Sequence, residues 1–576
     1  MRFFLIFLVF IFFFCLTAYA KGKGGSRPTS RDSFEWDGSK IIKFIGKETE
    51  VVIPDGVTVI GTCAFELCNF VISVEIPEGV TEIEDWAFAD CRVLKTVKIP
   101  ATMTKIGIGT FAGCGSLTSV ALPQGVTVIG KSLFEDCRSL ESLTIPEDVT
   151  AIENSAFEGC ASLKSMVLPK GVKEIGVTAF YQCKSLETVT LPDGLTTIGD
   201  NAFEDCESLK SLVLPKSVKE MGSEVFGSCR ALKTVVIPEG VTEIKSHTFW
   251  QCESLESVVI PEGVTKIDYG AFLHCGSLKS VVIPEGVTEI GPFAFHDCRF
   301  LTTVVIPKSV AEIGEMAFSR CVSLKNWLVS ENHPCFKILD GCIFSKDGKT
   351  LVAYPNAAGE YRIPEGVTVI GMSAFADCES LTSVVIPRSV TVIEGAAFGR
   401  CKSLKSIVIP EGVTKLETST FYDCVSLTSL AIPDSLTEVS DAFRGCKSLK
   451  NWQISENHPS FKSVGGCLFS KDGKTLVAYP AVPEEYHIPE GVTVIGDEAF
   501  ASCRSLKSVV IPEGVTKIGE FSFYGCHSLE SVVIPESVTE IGEWAFGECS
   551  EMTIYAPKGS KAEEFAKEKN YSFEAR

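Results

Sequence analysis

The side chains most able to do chemistry in this chain are its cysteines, and most of them recur at one spacing. Of 24 cysteines, 18 stand 14 residues after a proline and one, Cys446, stands 13 after. Cys15, Cys63, Cys335, Cys342 and Cys467 fall outside that row. A row of thiols could serve disulfides, metal or nucleophilic attack. Neighbouring rungs of a parallel ladder point the same way, about 4.8 Å apart, whereas a disulfide needs converging Cβ atoms roughly 3.5–4.5 Å apart. Zinc needs ligands that converge on a point. The row is therefore expected to hold buried, reduced thiols that act as small hydrophobes. Cys335 and Cys342 could pair, but Ser460 replaces the first of them in a sister segment, which argues against a shared disulfide.

The seven histidines show no catalytic partnership. His333-Pro334 and His458-Pro459 recur because the segments around them recur, and they read as turn structure. His487 lies where most copies carry Val and is expected to be exposed. No Ser-His-Asp order, phosphate-binding glycine loop or metal motif stands out. Asp340 and Asp347 are too sparse for a calcium loop. Neither catalysis, nor a cofactor, nor a metal is expected.

What must position these side chains is a repeat. Prolines fall at 54 and every 23 residues to 307, then at 364, 387, 410 and 433, then at 489, 512 and 535, which makes 19 copies. In 18 copies a Phe follows the proline by 11 residues, and in the copy at Pro433 one residue is missing. A fixed period in the twenties means a solenoid whose coils bury their apolar faces only against neighbours. In SLKSVVIPEGVTEIGPFAFHDCR, residues 277–299, Val281 and Ile283 share one face of a short strand. Pro284-Glu285-Gly286 reads as a type I turn with Pro at its second position. Val287 and Ile290 belong to a second extended piece. Ala294, Phe295 and Cys298 then step inward on a tight or helical turn, and the Phe residues should stack as a ladder.

The strand Leu-x-x-Val-x-Ile-Pro followed by Val-Thr-x-Ile-Gly-x-x-Ala-Phe-x-x-Cys resembles the BspA-like leucine-rich repeat family of bacterial and protist surface proteins. The resemblance covers nearly the whole chain after residue 33. It implies a curved leucine-rich-repeat solenoid with a parallel sheet on the concave side, turns or helical turns opposite, and adhesion or recognition at a surface. Here Cys takes what looks like the family's Asn ladder position. Nineteen coils at about 4.8 Å would give a single elongated array of roughly 90 Å.

The ends and interruptions complete the organisation. Residues 1–20 read as a Sec-type signal peptide: Arg2, an apolar run from Phe3 to Leu16, then Ala18-Tyr19-Ala20. That run is short for a membrane span, and none is expected in the mature chain. Residues 21–33 read as a flexible linker. Residues 34–53 read as an N-terminal cap with Phe34 and Trp36 over the first coil. Repeats occupy 54–549, with near-identical irregular inserts at 325–363 and 450–488, each expected to project a hairpin at a two-residue turn, Asp347-Gly348 or Asp472-Gly473. Residues 550–576 read as a C-terminal cap with a short helix begun by a Ser560–Glu563 capping box.

One surface is a candidate site. Four residues before the proline, 16 of 19 copies have Ser or Thr, and two before it 11 have Val. These positions flank the inward Val and should face out of the sheet, as Ser257, Val259, Ser280, Val282, Thr303 and Val305 do in consecutive copies. A net charge of −20 argues against nucleic acid. The chain thus reads as a monomeric, secreted or cell-surface protein that binds an extracellular protein or glycan through this face. A structural rod or spacer without a specific ligand is the alternative.

Overall fold

The computed structural model describes residues 27–354, 359–481, 483–549 and 552–576. The expected signal peptide and residues 21–26 of the expected linker lie outside them. The described chain is a parallel-strand β-solenoid. It falls into two compact units, one ending at Pro192 and one beginning at Asp193.

In most coils the sequence alternation becomes two short strands. Ser280–Val282 is exposed, buried, exposed, and Glu289–Ile290 turns only its Ile inward. Three residues suffice because each strand has parallel partners one period away: Ser280 pairs with Thr303 and Val282 with Val305. Between the strands, the amide N–H of Val287 donates to the carbonyl of Pro284 at 3.1 Å. Pro284 therefore opens the turn rather than holding its second position, which suits a residue with a carbonyl but no N–H. Gly286, third in that turn, needs no positive φ, whereas Gly56, Gly79 and Gly366 have φ of 88°, 107° and 89°. At Ser435, which replaces this Gly, the hydroxyl ties coils together: it accepts from the Gly412 N–H at 3.1 Å and donates to the Val413 carbonyl at 2.9 Å.

The stretch carrying Phe and Cys is a chain of tight turns, not a helix. Phe293 and Asp297 have φ of 56° and 61°. The N–H groups of Phe293, Phe295 and Asp297 donate to Glu315, Ala317 and Ser319 of the next coil at 2.7–2.9 Å, while those of Ala294, His296 and Cys298 close local turns. A buried backbone must pair every N–H, and this alternation does so without regular structure. Coils meet so closely that a Cβ on Gly291 would lie 2.8 Å from the Asp268 carbonyl carbon.

In the first unit, strands Glu50–Val52, Ser73–Glu75, Thr96–Lys98, Ser119–Ala121 and Ser142–Thr144 form one parallel sheet. Phe34 and Phe44 are buried against Phe65 and close the first coil. Trp36 stands edge-on to Phe34 and donates its indole N–H to the Arg31 carbonyl at 2.9 Å.

In the second unit, the phenylalanines from Phe203 to Phe318 stack as one ladder, and Phe375–Phe443 and Phe500–Phe546 form two more. Phe295 sits 5.1 Å from Phe272 and 5.3 Å from Phe318, with rings within 7° of parallel. At each insert other aromatics end one ladder and begin the next. Trp327 meets Phe318 edge-on at 4.8 Å, and Tyr354 and Tyr361 cover Phe375. Trp452, Tyr479 and Tyr486 repeat the arrangement.

The inserts differ from expectation in two ways. The two-residue hairpin turns are Asp340-Gly341 and Gly465-Gly466, all left-handed, between antiparallel strands such as Phe336–Leu339 and Cys342–Ser345. The expected hairpin at Asp347-Gly348 is present, Cys342–Ser345 pairing antiparallel with Thr350–Ala353, but its turn is the longer loop Lys346–Lys349, in which the Gly348 N–H donates to the Ser345 carbonyl at 2.8 Å. The following strand Thr350–Ala353 then pairs in parallel with Val369–Ile370. The hairpin is thus built into the edge of the short-strand sheet, not the sheet that carries Ser280 and Val282. At the C-terminal end the helix Lys561–Lys569 is capped by Ser560, whose hydroxyl accepts from the Glu563 N–H, and buries Phe565.

Candidate functional site

Strands Thr234–Val236, Ser257–Val259, Ser280–Val282, Thr303–Ile306 and Asn326–Val329 lie side by side in one sheet. Their inward residues are buried: Val258 at 7%, Val281 at 3%, Val304 at 0%. Their outward neighbours are open, with Val236 62%, Val259 56%, Val282 70% and Val305 38% exposed. Ser257 and Ser280 are exposed and Thr303 is half-buried on the same face. The structure so brings the six expected residues into one uncharged stripe. It adds Leu328, 54% exposed and paired with Val305. Leu328 was legible in the period, since Asn326-Trp327-Leu328-Val329 follows Thr303–Ile306 by 23 residues, but the insert's irregular sequence hid it.

The ladder thiols are more than small hydrophobes. The Cys298 Sγ donates to the Phe272 carbonyl at 3.3 Å, and Cys275 to Phe249 at 3.1 Å. The same bond joins Cys91 to Phe65 and Cys526 to Phe500. The thiol therefore acts as an inter-coil donor as well as a small hydrophobe. Among the described residues no cysteine stands in a disulfide, Cys63, Cys335, Cys342 and Cys467 included. Burial pushes Cys114 up to about 12 and Cys68 up to about 11, and raises Cys229 and Cys298 well above the ordinary value of 9.0. Such thiols stay protonated and sheltered, which makes them poor nucleophiles.

The remaining polar groups are structural. His333 and His458 are fully buried. Each bonds through Nε2 to a proline carbonyl at 2.9 Å, Pro307 or Pro433, and accepts at Nδ1 from two backbone N–H groups. Cys342 and Cys467 bond to the hydroxyls of Tyr361 and Tyr486 at 3.1 and 3.2 Å. His487 is exposed. Asp297, buried on the turn side, receives His274 at 3.0 Å and Arg299 at 2.9 Å, with Arg320 at 3.5 Å. These partners hold its carboxyl below the ordinary value against the opposing effect of burial, while burial drives neighbouring His296 down to about 4. Among the described residues no cluster of three or more His, Cys, Asp or Glu could hold a metal ion. No helix among them is long and apolar enough to cross a membrane.

This register of strand, turn and ladder defines a leucine-rich-repeat solenoid. The family model for the BspA type leucine rich repeat region matches residues 43–164, 150–278, 242–351, 360–476 and 483–569, and the chain belongs to that family. A leucine-rich repeat protein from Bacteroides ovatus is 25% identical over 75% of this chain and 91% of its own, with a TM-score of 0.38. A leucine rich cell surface protein from Faecalibacterium prausnitzii is 25% identical over 76% of this chain and 97% of its own, with a TM-score of 0.34. The T. pallidum leucine rich repeat protein is 31% identical over 36% of this chain and 91% of its own, with a TM-score of 0.26. No curated protein matches the chain.

Proposed function

We propose that the chain is an exported or surface-displayed binding protein that recognises an extracellular protein or glycan on the stripe from Val236 to Leu328, the face expected to be concave. The observation that carries this reading is the stripe itself. Four strands in register each expose a Val at 38–70%, flanked by hydroxyls, and the fifth exposes Leu328. Extended apolar surface of this kind marks interaction sites more often than idle surface. The repeat family's association with surface proteins and the signal-like segment at residues 1–20 support display outside the cell. The protonated, buried ladder thiols and the structurally engaged His333 and His458 favour binding over catalysis. The near-identity of successive copies favours the second reading, a spacer without a specific ligand.

Capture experiments against extracellular matrix proteins and glycans separate the two. With a partner in hand, Val259→Lys together with Val282→Lys places two ammonium groups on the stripe without touching the core. Folding should survive and binding should fall at least about tenfold, with little dependence of wild-type binding on salt. Unchanged affinity in the double variant would move the site off this face.

A further inference from the structure

The sheet that carries the stripe stops at the first insert. Asn326–Val329 is its last strand, paired over its whole length with Thr303–Ile306. Among the described residues no strand pairs with its other edge. The chain leaves Val329 for the hairpin of the insert, and Gly359–Arg362 opens a separate sheet with Leu381–Val385. The turn side is interrupted at the same place. The N–H groups of Phe293 and Phe295 donate to the next coil, whereas those of Met316 and Phe318 have no such partner among the described residues. Side chains bridge the seam there instead: Ser373 donates to Glu315 at 2.7 Å, and Arg320 lies 3.6 Å from Glu379. A cavity of about 270 Å³ remains in the seam, and Trp327 of the last strand is part of its wall.

A free strand edge presents backbone N–H and C=O groups that invite another strand, and proteins guard such edges with charge or a covering segment. Comparable edges in this chain are guarded. Glu50–Val52 is covered by Thr29, which donates its N–H to the Val52 carbonyl and accepts the Val52 N–H on its hydroxyl, both at 2.9 Å. Gly359–Arg362 carries Glu360 and Arg362, and Glu485–His487 carries Glu485. At the second insert the last strand, Asn451–Gln453, shows Gln453 where the first shows Leu328. Asn326–Val329 has no charged residue, and Leu328 is 54% exposed.

We propose that this edge takes up an extended, uncharged segment of a partner polypeptide as one further parallel strand. Groups that alternate at strand spacing are satisfied together only by another backbone, which sets a polypeptide apart from a glycan here. The added strand needs an apolar side chain beside Leu328, continuing the outward row of Val282, Val305 and Leu328. That the partner lies outside the cell rests on the reading above; the pairing edge does not.

A hexapeptide built on the chain's own strand, Thr-Ser-Val-Val-Ile-Thr with fluorescein at its amino end, is the probe. Its fluorescence anisotropy should rise saturably with the full chain at concentrations up to about 0.5 mM. Hydrogen exchange should slow at residues 326–329 but not at 451–453. The same peptide N-methylated at every amide keeps its side chains but donates no backbone bond, so it should bind at least about tenfold more weakly. Leu328→Lys, at an exposed position, should fold as the wild type does and weaken the unmethylated peptide by a similar factor. Val259→Lys together with Val282→Lys lies on strands away from the edge, so peptide binding should persist there even if the stripe itself proves idle. The proposal is overturned by no saturable binding up to about 0.5 mM, by equal affinity for the methylated peptide, by unchanged affinity in Leu328→Lys, or by loss of peptide binding in the double variant. A wild-type chain that dimerises, with Leu328→Lys monomeric, would seat a second copy on the edge and overturn it too.

Discussion

At the scale of single residues, the ladder cysteine shows what a repeat can ask of one side chain. Cys298 is fully buried beside Phe295 and donates to a carbonyl one coil back. A pure hydrophobe and a donor respond differently to substitution. Cys298→Ala should cost about 1–2 kcal/mol, combining a small void with a lost bond. Cys298→Ser keeps a donor, so it should be no worse than Ala; were the thiol only a hydrophobe, the buried hydroxyl would make Ser clearly the worse of the two. Urea midpoints of the two variants distinguish these cases. The paired histidines illustrate the opposite lesson. His333 and His458 invite a catalytic reading from their type, yet both ring nitrogens are already engaged by backbone groups.

At the scale of elements, the phenylalanine ladder links each coil to the next. Phe295 is fully buried between Phe272 and Phe318. Phe295→Ala should cost about 3–5 kcal/mol. The loss should be felt in the adjoining coils, because solenoid stability is shared between nearest neighbours. Hydrogen exchange or limited proteolysis should show new opening centred on residues 272–318, and an unchanged pattern would contradict the packing role. The strands themselves contribute little alone. Two or three residues cannot hold a strand without the in-register pairs on either side, such as Glu289 with Lys266 and with Glu312. The exposed ion pairs that follow the same register, for instance Lys266 with Glu289 at 3.2 Å, add modestly at best.

At the scale of the whole molecule, most of the buried thiols act in one direction, with Cys424, lowered by bonds from the Cys401 and Cys446 thiols against the effect of burial, as the exception. In the folded chain burial raises them, Cys549 to about 12 and Cys137, Cys160 and Cys275 well above the ordinary 9.0. Above pH 9 the unfolded chain therefore loses protons that the folded chain keeps. The folded state then binds more protons, and stability falls as pH rises. The contribution is fully present below about pH 9 and is lost through the alkaline range, at up to about 1.4 kcal/mol per thiol per pH unit. The melting temperature under reducing conditions should drop steeply between pH 8.5 and 10.5 (about two units). A flat profile would mean that the thiols are accessible to solvent in the folded state.

The sequence alone was enough for the period, the inward Val, Ile, Leu, Phe and Cys, the outward Ser and Val, the capping Phe34 and the Ser560 helix start. Each of these follows from local spacing and burial, and a repeat read 19 times averages away the noise of any one copy. Tertiary structure decided the rest. Trp86, Phe293 and Phe521 are left-handed against their own preference, because that path gives their N–H groups a partner on the next coil. Both inserts carry Asp347-Gly348 or its equal, but the two-residue turn fell at Asp340-Gly341, where strand pairing could continue into Cys342–Ser345. The cavity beside Trp327 depends on how two non-neighbouring coils meet across an insert, a distance of some 57 residues in the period that no local pattern records.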